Sequence, residues 1–182
     1  ADGEIIYGQG GSGYIDPETM RESLRQVRED KKVKAVVLRI NSPGGSALSS
    51  ELIWREIQEL RKSKPVVVSF SDVAASGGYY IGVGSDMIFT EPTTITGSIG
   101  VFATIPNING LVDKFGINAE QVGTHRQSVD YSLFEPLSSD FREVLREDIE
   151  KTYQIFLSRV AEGRNISISK ADSLAQGRVW NG

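Results

Sequence analysis

The sequence predicts a layered α/β fold, and three observations support this prediction. A chain of 182 residues is long enough for one domain with a sizeable core. Residues 35–40 and 66–70 form two nearly continuous apolar runs, which are typical of parallel strands covered on both faces. A helical pattern lies between the two runs, so strand, helix and strand alternate at regular spacing.

Composition excludes several classes of function. Hydrophobic residues make up 39% of the chain and charged residues 24%, which is ordinary for a soluble globular protein. The net charge of −4 is the opposite of the excess positive charge that binding a polyanion requires, so no nucleic-acid partner is expected. Because there are no cysteines, disulfides, thiolate metal sites and cysteine catalysis are excluded. No signal peptide opens the chain, and no apolar run approaches the roughly 20 residues of a membrane span.

The elements of the first half each have a local signal. Asp16 and Pro17 predict a helix start, because the carboxylate can cap the helix and proline suits its first position. A second helix is predicted over residues 49–62, where apolar side chains repeat on one side. A helix of small residues is expected to follow Ser76 and to run through Gly84, and residues 87–90 predict a further short strand.

The second half is less regular. Residues 108–115 have a helical pattern that stops at Gly116, and residues 117–122 predict a strand. The polar stretch 123–137 is interpreted as a mobile loop. The strongest helix prediction covers residues 141–161, where apolar side chains line one stripe, and a short helix is expected over residues 169–176.

Two glycine turns, each after a predicted strand, form the candidate chemical site. They are Ser42-Pro43-Gly44-Gly45 and Ser76-Gly77-Gly78. Because the ends of parallel strands converge on one edge of a sheet, we expect the two turns to face each other. The hydroxyl of Ser76 could then stand exposed as a nucleophile. The N–H of Gly77 and an N–H from Gly44 or Gly45 would form an oxyanion hole.

A purely structural role is the alternative to catalysis for these turns. Glycine turns after strands are common, and most serines do no chemistry. Either motif alone would favour the structural interpretation. The two motifs together, in this order and each at a strand end, favour catalysis by Ser76.

Four motifs, in order along most of the chain, resemble the signal peptide peptidase A family of serine peptidases. They are Asn41-Ser42-Pro43-Gly44-Gly45, Asp72-Val73-Ala74-Ala75-Ser76-Gly77-Gly78-Tyr79-Tyr80, Thr96-Gly97-Ser98-Ile99-Gly100-Val101, and Ala175-Gln176-Gly177-Arg178-Val179-Trp180-Asn181-Gly182. The resemblance implies a Clp protease/crotonase-like fold, a ββα superhelix. It implies that Ser76 is the nucleophile, that Gly44 or Gly45 with Gly77 forms the oxyanion hole, and that Ser98 holds the amine of a catalytic lysine.

The same resemblance implies a serine endopeptidase with a Ser–Lys dyad. Such an enzyme cleaves remnant signal peptides and other polypeptides at or near a membrane, and it needs neither a cofactor nor a metal ion. Its members assemble into ring- or dome-like homo-oligomers. The parent protein would be membrane-associated, on the periplasmic side of a bacterial inner membrane or in a plastid, whereas this chain itself is expected to be soluble.

The general base is where the chain departs from the family pattern. Short members carry the lysine in a Tyr-Lys-Ser type segment, roughly where residues 123–128 fall here. Arg126 stands near that place, and arginine cannot deprotonate in a protein. The following lysines are expected at the surface: Lys62, Lys64, Lys114 and Lys151.

Long members of the family carry two similar domains in tandem, one with the lysine and one with the serine. The resemblance therefore implies that residues 1–182 are one peptidase-like domain, the C-terminal, serine-bearing part of a longer two-domain protein. A homologous domain or another chain would supply the lysine. The isolated chain is then expected to be inactive or weakly active.

Three other interpretations stay open. His125, the only histidine, could act as the base with Asp130 or Asp113, although its polar surroundings favour an exposed loop residue. An acyl-CoA hydratase-like enzyme of the same fold would use a carboxylate, for which Glu91 is the nearest candidate. A non-catalytic assembly domain would also lack the base, but it has no reason to retain the serine turn.

The sequence says little about which peptides a peptidase site would accept. A groove near Ser76 should accept apolar peptide side chains. Tyr79, Tyr80 and Phe102 are candidate wall residues, although aromatic residues after such a turn are more often part of the core.

Overall fold

The computed structural model describes the backbone of residues 1–182 and all side chains except those of residues 126 and 127. The chain comprises two compact units. The first unit contains Ala1–Val101 and Tyr153–Gly182, and the second contains Phe102–Thr152.

The elements follow one another along the chain as two tiny strands, an alternating α/β segment, a sparsely structured segment and a helical C-terminal part. In order they are β1 (Glu4–Ile5), β2 (Tyr14–Ile15), α1 (Pro17–Glu29), β3 (Val36–Ser42), α2 (Ala47–Arg61), β4 (Val66–Ala75), α3 (Gly77–Val83), β5 (Met87–Phe89), β6 (Ile95–Gly97), α4 (Asn109–Val112), two 3₁₀ turns (Asp113–Phe115 and Arg126–Val129), α5 (Ser139–Arg164), α6 (Ile168–Leu174) and β7 (Val179–Asn181).

The main sheet lies in the first unit and has the strand order β3-β4-β6-β7, with β5 also paired to β4. Strands β3, β4, β5 and β6 pair in parallel, and β7 runs antiparallel to β6. Its principal core joins β3 and β4 to helices of the same unit, and includes the fully buried side chains of Ile40, Ile53, Ile57, Val68 and Ile81. The layered α/β prediction is confirmed.

The predicted helix starts are confirmed by side-chain caps. Asp16 accepts a hydrogen bond from the N–H of Thr19 at 2.8 Å, and Pro17 is the first residue of α1. Ser46 caps α2 by accepting from the N–H of Ser49 at 3.2 Å, so this helix begins slightly earlier than its apolar pattern indicated. These caps satisfy N–H groups that have no partner within the helix.

Strand β4 is longer than its apolar run. The prediction ended the strand at residue 70, but β4 continues to Ala75. The first half of β4 pairs with β5 through residues 67–69, and the second half pairs with β6 through residues 73–75. Because the second half gains its pairing from a distant segment, its more polar sequence gave no local strand signal.

The strand predicted in the second unit is wrong. Residues 117–122 form no strand, and the side chains of Ile117 and Val122 are 52% and 93% exposed. Apolar residues without a neighbouring strand or a buried face have nothing to stabilise a strand there. The helix predicted before Gly116 is present as α4 and the 3₁₀ turn Asp113–Phe115, and Gly116 ends it with a φ of 66°.

A polar cluster within the first unit fixes helix α3 against α2 and α5. The Glu51 carboxylate accepts hydrogen bonds from Arg55 Nε (2.7 Å), Arg159 Nη2 (2.8 Å) and the Tyr80 hydroxyl (2.5 Å). The Arg159 guanidinium also lies 4.1 Å from the centre of the Trp54 ring. Burial raises the pKa of Glu51, but the hydrogen bonds from Arg159, Tyr80 and Arg55 outweigh burial and hold that pKa below its ordinary value.

This cluster predicts a pH-dependent contribution to stability. Because the folded-state pKa of Glu51 is depressed, its contribution is present above the unfolded value of about 4.5 and is lost as the pH falls through the folded value. We expect Glu51→Gln to lower the free energy of unfolding by about 1–2 kcal/mol at pH 7, after allowance for solvent screening. Denaturant titrations at pH 7 and below pH 4 check this, with Glu120→Gln as an exposed control. A gap between wild type and variant that widens toward acid pH would contradict it.

Candidate active site

Ser76 occupies a sharp turn between β4 and α3. Its backbone has φ 51° and ψ −121°, an unusual conformation for a residue other than glycine. The Ser76 N–H donates to the Gly97 carbonyl at 2.9 Å, and the Ser76 carbonyl accepts from the N–H of Tyr80 at 2.9 Å. Backbone strain of this kind persists only where neighbours hold it, and it places a side chain at the tip of a strand-to-helix turn.

The two glycine turns are in contact, as the sequence predicted. A Cβ atom added to Gly44 would lie 2.6 Å from Gly77 N and 2.8 Å from Ser76 Cβ. Gly44 also has a φ of 103°, which favours glycine independently. A Cβ on Gly78 would lie 2.5 Å from the Ser42 carbonyl oxygen, so the backbones of the two turns pack without intervening side chains.

The geometry distinguishes the N–H donors of the first turn. The Gly44 N–H donates to Ser42 Oγ at 3.2 Å. Ile5 pairs with Gly45 as a parallel bridge, in which the Ile5 N–H donates to Gly44 O and Ile5 O accepts from the Ser46 N–H, each at 2.7 Å. In that arrangement the N–H of Gly45 points away from Ile5. The Gly44 donor is therefore occupied, whereas the Gly45 donor is directed elsewhere.

The backbone N–H of Gly77 is the candidate donor of the second turn. Gly77 is the first residue of α3, and the first N–H groups of a helix have no acceptor within the helix. Its backbone is buried against Gly44, and a Cβ on Gly77 would lie 3.2 Å from Gly44 Cα. The N–H groups of Gly45 and Gly77 thus belong to two backbone turns that touch each other beside Ser76.

Ser98 lies beside Ser76 because of strand register. Ala75 of β4 pairs with Gly97 of β6, and these neighbouring strands lie about 4.8 Å apart, so each serine directly follows the last residue of its strand. Ser98 has a φ of 49°, close to that of Ser76. The Ser98 N–H donates to the Arg178 carbonyl at 2.8 Å, which ties it to the segment before β7.

Five lysines of the first unit lie at the opposite edge of the sheet from Ser76. Lys62 and Lys64 precede the first residue of β4, whereas Ser76 follows its last residue. A strand of ten residues spans roughly 30 Å. The loop before β3 carries Lys31, Lys32 and Lys34.

The remaining lysines occupy other elements. Lys170 is exposed on α6. The second unit contains Lys114 and Lys151, and Lys151 Nζ lies 3.3 Å from Glu147 Oε2.

Lys64 is buried, so the expectation that it lies at the surface is wrong. Its Nζ donates to the carbonyl oxygens of Val27 and Asp30, each at 2.5 Å. These carbonyls belong to the end of α1, where a cation is favoured by the helix dipole and by unpaired carbonyl groups. The burial results from the packing of the α1 terminus beside the start of β4, which no local pattern reports.

This assignment makes Lys64 a structural cation with a testable effect. We expect Lys64→Met to lower the free energy of unfolding by about 2 kcal/mol, because two carbonyls at the end of α1 lose a charged donor. Chemical denaturation measures the change, and Lys62→Met, whose side chain is 70% exposed, is the matched control. Equal stability of the two variants would contradict the assignment.

The alternative base and its partners belong to the second unit. His125 is exposed, and its Nδ1 lies 3.2 Å from Thr124 Oγ1. Asp113 is exposed and Asp130 is half-buried. Arg126, which stands near the family's lysine position, has a side chain that lies outside the described residues.

Glu91, the carboxylate candidate of a hydratase, lies in an exposed turn. Its backbone carbonyl accepts from the N–H of Thr94 at 3.0 Å. Thr94 Oγ1 donates to the Ser71 carbonyl at 2.7 Å and so ties this turn to the middle of β4. Along the strand, Ser71 is roughly 15 Å from Ser76. The structure does not bring the Glu91 turn to the two glycine turns.

An apolar cavity of about 520 Å³ lies within the first unit. Gly97 and Ile99, which flank Ser98, form part of its wall, and Tyr79 lines it as well. Of the other aromatic candidates, Tyr80 is buried in the core and Phe102 is 86% exposed in the second unit. Burial raises the pKa of the Tyr79 hydroxyl above its ordinary value.

Two features are absent from the described part of the chain. No group of three or more His, Asp or Glu side chains among the described residues is placed to hold a metal ion. Likewise, no helix formed by these residues is long and apolar enough to cross a membrane.

Comparison of the folded chain with solved structures identifies the fold. A ClpP1 mutant from Listeria monocytogenes superimposes with a TM-score of 0.56 at 13% sequence identity, over 98% of this chain and 78% of that chain. The Clp protease/crotonase-like fold class is thereby confirmed.

Sequence comparisons identify relatives. Protease 4 of Haemophilus influenzae is 42% identical over 182 residues, which are 100% of this chain and 29% of that protein. The chloroplastic serine protease SPPA of Arabidopsis thaliana is 42% identical over 173 residues, covering 94% and 25% respectively. A putative signal peptide peptidase SppA of Enterococcus faecium is 37% identical over 163 residues, covering 87% and 46%. The chain therefore spans less than two thirds of the length of each of these relatives.

A sequence profile of one family covers most of the chain. The profile of peptidase family S49 matches residues 58–182, a range that contains both Ser76 and Ser98. This chain therefore belongs to peptidase family S49.

Proposed function

We propose that Ser76 is the nucleophile of a serine endopeptidase and that its general base is a lysine carried by another domain of a longer parent protein or by another chain. The observation that carries the proposal is the strained Ser76 turn, whose backbone is held directly against Gly44 and Gly77. Strain of this kind clusters at active sites.

The proposed chemistry is acyl transfer. Ser76 Oγ attacks the carbonyl carbon of a peptide bond, and its proton passes to the neutral lysine amine. The N–H groups of Gly45 and Gly77 stabilise the oxyanion that forms. The C–N bond then breaks, and the leaving amine takes the proton from lysine. Water hydrolyses the resulting ester on Ser76 by the same path, which restores the serine hydroxyl.

The positions of the lysines support an external base. Lys62 and Lys64 lie roughly a strand length from Ser76, and Lys64 is already bound by two carbonyls. Ser98 directly follows β6, as Ser76 follows the neighbouring strand β4, so its hydroxyl could hold an incoming amine beside the nucleophile. A lysine that becomes buried on assembly has a depressed pKa and can accept a proton near neutral pH.

Apolar peptide segments, including remnant signal peptides, are the proposed substrates. The cavity beside Ser98 is lined largely by apolar side chains and could receive one from the substrate. One relative carries the name signal peptide peptidase, and relatives extend well beyond the matched segment. We further propose that the parent protein is membrane-associated and forms a homo-oligomer.

Labelling with a fluorophosphonate tests this function, because the reagent reacts with activated serines. The rate is measured for the 182-residue chain, for the longer parent protein and for Ser76→Ala in both. We expect rapid labelling of the parent, at least about a hundredfold slower labelling of the chain alone, and none with Ser76→Ala. Equal rates for the chain and the parent would mean that the chain carries its own base.

The same experiment separates the alternatives. A base at His125 would make labelling of the 182-residue chain sensitive to His125→Ala. A non-catalytic assembly domain would leave both proteins unlabelled. A hydratase would act on acyl-CoA and retain that activity in Ser76→Ala.

A further inference from the structure

Three residues with positive φ angles belong to one hydrogen-bonded region of the first unit. Ser76, Ser98 and Gln176 have φ angles of 51°, 49° and 59°. The N–H of Ser76 donates to Gly97 O at 2.9 Å, and the N–H of Ser98 donates to Arg178 O at 2.8 Å. Residues other than glycine keep such a conformation only where surrounding contacts hold it. Contacts that fix the backbone of Gln176 therefore also affect the position of the segment that carries Ser98.

The turn at residues 176–178 is attached directly to that segment. The Gly177 N–H donates to Ile99 O at 2.8 Å, which complements the bond from Ser98 to Arg178. A Cβ atom on Gly100 would lie 3.1 Å from Gly177 Cα, so the two backbones are also in close contact. A displacement of the turn would therefore move Ser98.

Tyr153 and Asp172 hold the first residue of this turn. The Tyr153 hydroxyl, on α5, accepts a hydrogen bond from the N–H of Gln176 at 3.2 Å. The same hydroxyl donates to Asp172 Oδ1 of α6 at 2.7 Å. Because a hydroxyl has one proton, donation to Asp172 directs an oxygen lone pair toward Gln176. The pair thus presents an oriented acceptor to a strained backbone N–H.

We propose that Tyr153 and Asp172 are positioning residues of the peptidase site, which hold Gln176 and, through the turn at residues 176–178, keep Ser98 beside Ser76. This inference rests on the proposed function, in which Ser98 holds the lysine amine. Neither Tyr153 nor Asp172 needs to touch the substrate or the reacting atoms.

The expected consequence lies in activation of the nucleophile rather than in substrate binding. A hydrogen bond from Ser98 favours the neutral form of the lysine amine, so a displaced Ser98 raises the pKa of that amine. At neutral pH a smaller fraction of the lysine is then able to accept the proton of Ser76. The acid limb of the activity profile should move to higher pH, while KM stays unchanged.

The test uses the parent protein with the single change Tyr153→Phe. We expect kcat and the fluorophosphonate labelling rate at neutral pH to fall about tenfold, with an unchanged KM and an acid limb shifted to higher pH. Tyr7→Phe, whose side chain is 77% exposed, is the matched control and should resemble wild type.

A second change tests the route through Gln176. Glycine adopts a positive φ freely, so Gln176→Gly should restore kcat and the pH profile in the Tyr153→Phe background. A general structural defect would not be repaired by this substitution. Asp172→Asn should show the same pH shift in a weaker form, and it serves as the single variant if Tyr153→Phe does not fold.

The outcomes separate this inference from the proposed function. A folded Tyr153→Phe protein with unchanged kcat and pH profile would overturn the inference, as would a failure of Gln176→Gly to rescue. Wild-type parent protein that does not label at Ser76 would instead overturn the proposed function, and this inference with it. Circular dichroism and thermal unfolding confirm that each variant is folded.

Discussion

Replacing Ser76 by alanine is expected to abolish peptide hydrolysis by the parent protein. The substitution removes the only atom proposed to attack the scissile carbonyl, and losses of a nucleophilic serine reach a factor of about a million in kcat. Alanine must also adopt the φ of 51° seen at this turn, but the strand, the helix and the Gly97 contact that impose it are retained. The measurement is kcat on an apolar peptide, together with the thermal unfolding midpoint.

Ser71→Ala is the matched control for this prediction. Ser71 lies on the same strand, and its hydroxyl accepts a hydrogen bond from Arg39 Nη2 at 3.0 Å, away from the turn. We expect this variant to retain wild-type kcat. A Ser76→Ala protein that is folded and keeps more than about one hundredth of wild-type kcat would contradict the role of Ser76.

Gly44→Ala is expected to cause the second-largest loss. The new methyl group would lie within 3 Å of both Gly77 N and Ser76 Cβ, and the residue would have to hold a φ of 103°. The two turns must separate, which moves the Gly45 and Gly77 donors relative to each other. Loss of one oxyanion donor lowers kcat by about a hundredfold or more, and the strain costs about 1–3 kcal/mol of stability.

Gly110→Ala is the control for the glycine change, because a Cβ there meets no atom within 4 Å. Measurements of kcat and of the fluorophosphonate labelling rate at a temperature where both variants are fully folded separate the site effect from lost stability. Wild-type kcat in a folded Gly44→Ala protein would show that contact between the two turns is not needed for catalysis.

The contact between the two glycine turns could be predicted from sequence because the features that produce it are local. A strand that ends in Ser-Gly-Gly, and another that ends in Pro-Gly-Gly, each specify a turn, and parallel pairing brings such turns together. The contact between Gly44 and Gly77 follows from these two facts.

Other features depend on contacts between distant segments, which sequence patterns do not report. The different environments of the Gly44 and Gly45 N–H groups depend on the Ser42 hydroxyl and on Ile5, a residue from the start of the chain. The burial of Lys64 likewise depends on where α1 ends. Tyr153 gave only a helical apolar signal, and its bond to Asp172 requires α5 and α6 to meet.

The central claim is that Ser76, and not the neighbouring Ser98, is the nucleophile. Both serines have a positive φ and directly follow the last residues of the paired strands β4 and β6, so locating the adduct tests the role of each serine. The most direct measurement is mass-spectrometric location of the fluorophosphonate adduct in the digested parent protein. The expected result is one adduct on the peptide that contains Ser76, which disappears in Ser76→Ala. An adduct on Ser98, or labelling that persists in Ser76→Ala, would contradict the account.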